Sequence, residues 1–70
     1  MSRIPVGRSV TVTAPDVNGA IRKARGRLRG VVPAAARVLL VEQGEQVTTT
    51  PWLWQYEVVL QEGWEEVSDS

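Results

Sequence analysis

Between residues 52 and 61 the chain reads WLWQYEVVLQ, and this stretch constrains the fold more than any other. Trp52, Trp54, Tyr56, Val58 and Leu60 occupy alternate positions, with Leu53, Gln55, Glu57, Val59 and Gln61 between them. A two-residue period is that of a β-strand, whose successive side chains point to opposite faces. The segment is therefore expected to be a long strand with one strongly apolar side. It holds two of the three Trp and the only Tyr of a chain without Phe, so whatever covers that side must be shaped around large rings.

The preceding sequence supplies a cover. In APDVNGAIRKARGRLRG, residues 14–30, Val17, Ala20, Ile21, Ala24 and Leu28 follow the i, i+3, i+4, i+7 spacing of one helix face. Asp16 is placed to cap the helix, and Gly30 and Pro33 to close it. Small alanines on the helix against bulky rings on the strand are complementary core partners. Two further strands are expected: SVTVTA at 9–14, which alternates Val10, Val12 and Ala14 with Ser9, Thr11 and Thr13, and ARVLLVEQ at 36–43, a short apolar run rich in branched residues. GEQVTTTP at 44–51 reads as a turn-rich connection, of which 47–50 can extend either neighbour. GWEEV at 63–67 reads as a last short piece, and SDS at 68–70 as a frayed tail.

The expected fold is α+β, in the order β-α-β-β, with a three-stranded antiparallel or mixed sheet and one helix packed on one face. Residues 1–70 form a single small domain, with 1–7 and 67–70 as flexible flanks. One helix covers one face of such a sheet, leaving the other face and both edges open. Leu53 and Val59, with Leu39 and Val41, are expected on the open face. A chain of 70 residues buries a small fraction of its surface, so a second chain is expected to supply further burial.

Composition narrows the chemistry. There is no Cys and no His, which removes disulfides, thiolate ligands, the commonest zinc ligand and the usual general base. The hydroxyls of Ser9 and residues 48–50, one Lys and adjacent Glu65 and Glu66 do not form a nucleophile–base constellation. No catalytic, cofactor-binding or metal residue is expected, and no glycine-rich phosphate loop is present. No apolar run approaches the ~20 residues of a membrane helix, and the start has no apolar leader stretch, so a soluble, cytoplasmic protein without membrane contact is expected. Seven Arg against one Lys, with abundant Val, Ala and Gly, point to an accessory protein of a high-GC bacterium or its virus.

Net charge is zero, yet all eight basic residues lie within the first 37 positions and seven of the eight acids within the remainder. Five cations, Arg22, Lys23, Arg25, Arg27 and Arg29, crowd the helix. Such a cluster can neutralise phosphates, but the acids in the same small chain argue against a general polyanion binder. Nucleic acid is a possible partner and not the favoured one. The interaction candidates are Trp52, Trp64, Leu53 and Val59 as apolar anchors, and Arg22, Arg25 and Arg29 as cationic ones. The leading reading is a non-enzymatic protein-interaction module that associates with itself.

AIRKA at 20–24, VEQ at 41–43 and YEVVLQEGWE at 56–65 stand at nearly the spacing found in dodecins, and over residues 10–66 the chain resembles that family. The resemblance implies a β-α-β-β protomer of a hollow oligomer that stores flavins. The chain departs from the family at two flavin-contacting positions: Arg37 stands where a stacking Trp is expected, and Glu57 where a Gln is expected. No cofactor is therefore expected through these residues. A dodecin-like carrier of flavin or another small ligand remains the alternative to the interaction module.

Overall fold

A computed structural model describes residues 2–49 and 52–67. The order is β1 (Ser2–Ala14), α1 (Val17–Arg27), β2 (Val38–Thr49) and β3 (Trp52–Val67). The long alternating strand β3 lies in the middle of one antiparallel sheet, with spatial order β1-β3-β2. The fold is the expected α+β arrangement. The tail at 68–70, expected to fray, lies outside the described residues.

The helix starts where the sequence indicates. Asp16 is extended, with φ −151° and ψ 174°, and its Oδ1 accepts the Gly19 N–H at 2.7 Å, satisfying a donor that the first turn leaves without a helical acceptor. At the other end the Leu28 N–H reaches the Ala24 carbonyl at 2.9 Å. Gly30 then turns left-handed, with φ +84°, a conformation favoured by the absence of a Cβ. Ala20, Ala24 and Leu28 are buried, Ile21 is half-buried and Val17 is 44% exposed.

The core lies between this helix and one face of the sheet. Val12 and Ala14 from β1 and Tyr56, Val58 and Leu60 from β3 meet Ala20, Ala24 and Leu28, and Val32 and Ala36 close one end. Register explains which residues share the face: Val10 pairs with Val58, Val12 with Tyr56 and Ala14 with Trp54, and directly opposed residues project to the same side. Trp54 packs half-buried against this cluster.

Three features depart from the sequence reading. β1 begins at Ser2, inside the stretch 1–7 expected as a flexible flank: residues 2–6 pair with the last part of β3, from Val67 back to Gly63, and Gly7 pairs with Gln61. β2 and β3 both run longer than expected, and the GWEEV stretch is continuous with β3 across an irregularity at Glu62. Third, Val41 is not on the open face. Between Val38, opposite Leu60, and Leu40, opposite Val59, β2 carries one extra residue. This bulge returns Val41 to the core side opposite Val58 and leaves Leu39 and Leu40 on the other.

The molecule is long and thin, 53 × 23 × 13 Å, with a radius of gyration of 14.3 Å. A compact chain of this length has a radius near 11 Å. Its accessible surface of 5043 Å² compares with about 4300 Å² for an ordinary monomer of this mass.

Candidate interaction surface

Among the described residues, the face of the sheet away from α1 has no covering element. Gly7, Ser9, Thr11 and Thr13 of β1, Leu53, Gln55, Glu57 and Val59 of β3, and Leu39, Leu40 and Glu42 of β2 make up this side. The apolar part concentrates at one end. Val59 and Leu39 are half-buried, Leu40 is 43% exposed, and a Cβ added to Gly7 would collide with Val59 Cγ1 and lie 3.2 Å from Leu39 Cδ1. The missing side chain at Gly7 lets these two pack over the β1 backbone. Leu53 is half-buried at the opposite end, about 20 Å from Val59 along β3. A polar saddle separates them, lined by Thr11, Glu42, Gln43, Gly44, Gln55 and Glu57.

The two exposed indoles do not share a site. Trp52, 62% exposed, and Trp64, 54% exposed, stand about 40 Å apart along β3. The Arg3 guanidinium lies 5.5 Å from the centre of the Trp64 ring, within cation–π range. Trp64 also borders a groove formed with Pro33, Ala36, Arg37, Gln61 and Glu62. Beside it, Arg8 and Glu62 form an ion pair at 3.0 Å. This ribbon draws the basic start and acidic end of the chain together, so their charges interleave.

The helix cations divide into two groups. Lys23 donates to the Thr13 carbonyl at 2.6 Å, while half-buried Arg25 donates to the Ala36 carbonyl at 2.8 Å and the Ala34 carbonyl at 3.4 Å, bracing the loop that leads into β2. Arg22, Arg27 and Arg29 are exposed and remain the outward-facing cations. Among the described residues no group of His, Cys, Asp or Glu could hold a metal ion, and no helix is long and apolar enough to cross a membrane. Leu39 is on the open face as expected, but Leu40, turned there by the bulge, and the exposed Ile4 were not among the sequence candidates.

Comparison with known family models, curated proteins and solved structures gives no match, so function rests on this surface alone.

Proposed function

We propose that the chain is a non-enzymatic interaction module whose first partner is a second copy of itself. The observation that carries this reading is the uncovered sheet face, with Leu39, Leu40 and Val59 clustered at one end of a molecule only 13 Å thick. A three-stranded sheet with one covered side leaves apolar area in water that association removes. Light scattering coupled to size exclusion, at low and high salt, is the test. Oligomers that persist at high salt support the reading, because apolar burial is not screened as surface charge pairs are; a monomer under both conditions overturns it.

The dodecin-like carrier is the second reading, supported by the groove where the Trp64 indole lies exposed beside Arg37. Against flavin at the family's positions, Arg37 offers no ring to stack on, and Glu57 stands opposite another carboxylate, Glu42. A carboxylate only accepts hydrogen bonds, whereas an amide donates and accepts. Added riboflavin is expected to keep its fluorescence; stoichiometric quenching would favour the carrier.

A further inference from the structure

We infer that the second copy joins through the outer edge of β1, in one antiparallel register with a two-fold axis at Ser9, making a continuous six-stranded sheet. The inference rests on the self-association proposed above and adds to it an in-plane contact, distinct from the open face, which stays uncovered when two β1 edges join.

The two sheet edges differ. β2 shows register irregularities at 38/40, 43/46 and 46/48 and carries Glu42, Gly44 and Glu45, features that discourage strand addition. β1 is regular in its pairing from Gly7 to Ala14, and its single register shift places the extra residue on β3. A regular edge has unpaired backbone groups on every second residue.

Three observations identify those residues. The Gln61 N–H donates to the Arg37 carbonyl at 2.8 Å, so Gln61 faces β2 and its neighbour Leu60 faces β1, where it pairs with Arg8. Arg8, Val10 and Val12 therefore bond inward, while Gly7, Ser9, Thr11 and Thr13 turn their amides and carbonyls outward. The Thr13 carbonyl meets Lys23 Nζ from α1, as an outward group can. Pro5, on the same alternation, has no N–H to offer and so suits an outward position.

With the axis at Ser9, Gly7 pairs with the partner's Thr11, Ser9 with the partner's Ser9, and Pro5 with the partner's Thr13. The last pair matches a missing donor to a carbonyl that Lys23 has already satisfied. On the core side, Ile4, 45% exposed in one chain, comes beside the partner's Ala14, and half-buried Val6 beside the partner's Val12, so the apolar row continues from one copy into the next. The neighbouring registers are worse. An axis at Arg8 sets two guanidinium groups directly opposite, a destabilising arrangement, and an axis at Val10 sets Gly7 against the partner's Thr13, whose carbonyl must then accept from Gly7 and Lys23 together.

The chain has no Cys, so single-cysteine variants report the register. In a hydrogen-bonded antiparallel pair the Cα atoms lie about 5.5 Å apart, within the disulfide range. Ser9→Cys is expected to oxidise to a covalent dimer, and Thr11→Cys, more than ~13 Å from its copy, to remain a single chain. A second variant, Ser9→Pro, removes an outward N–H without touching the β1–β3 ladder; it is expected to keep its circular dichroism and lose the oligomer. Crosslinking of Thr11→Cys in preference to Ser9→Cys overturns the register, and a Ser9→Pro protein assembled like the parent overturns the edge. Failure of both cysteine variants while light scattering still shows oligomers overturns the edge and leaves self-association standing. A monomeric parent removes both.

Discussion

Glu42 and Glu57 face each other directly across β2 and β3 on the uncovered side of the sheet. Both are exposed, and like charges in this cross-strand relationship repel. Such a pair is better suited to a wet rim than to the centre of a dry interface, so on the proposed self-association a dry contact through this face would fall at the Leu39–Leu40–Val59 end.

Glu57→Gln is expected to stabilise the chain by a few tenths of a kcal/mol, with a larger gain at low salt than at high salt. Thermal melts at two ionic strengths check this. A loss of stability would mean that Glu57 has a favourable partner in the assembled protein.

The aromatic residues are expected to rank by burial. Tyr56, 3% exposed beneath the helix, should cost roughly 3 to 5 kcal/mol when cut to Ala, enough to unfold a domain this small. Trp54→Ala should cost less, because its ring is half in water, and Trp64→Ala least of all. Denaturant midpoints for the three variants give the order; a Trp64→Ala chain less stable than Trp54→Ala would reverse it.

Two glycines should respond in opposite directions. Gly7→Ala drives a methyl into Val59 and Leu39, and overpacking of this kind costs about 1 to 3 kcal/mol; adding Val59→Ala should recover part of the loss. Gly26 has nothing within 4 Å of an added Cβ, so Gly26→Ala should gain up to about 1 kcal/mol from helix propensity. If Gly26→Ala melts higher but assembles less well, a partner's backbone rests on the outer face of α1.

Local signals account for what the sequence made legible. Asp16, the 3.6-residue spacing from Ala20 to Leu28 and the strict alternation from Trp54 to Leu60 each specify their element without help from elsewhere. The first half of β1 has no such signal. Pro5, Gly7 and Arg8 interrupt its pattern, and its strand conformation comes from pairing with residues some sixty positions away, as Ser2 does with Val67. The bulge at Leu39 was equally hidden, because four consecutive apolar residues fit either face. Lys23 and Arg25 read as surface cations from their type alone. Their long side chains instead reach carbonyls at the rim of the core, so the cationic surface is smaller than the count of arginines suggests.

The irregular outer edge of β2 limits how many chains can join. Fibril growth requires each subunit to offer two adhesive edges, one to receive a neighbour and one to receive the next. If copies join through β1 as proposed, a disrupted β2 gives each chain a valence of one along the sheet, and strand addition terminates at a pair. On that proposal, a larger particle would have to be built by stacking such pairs through their open faces.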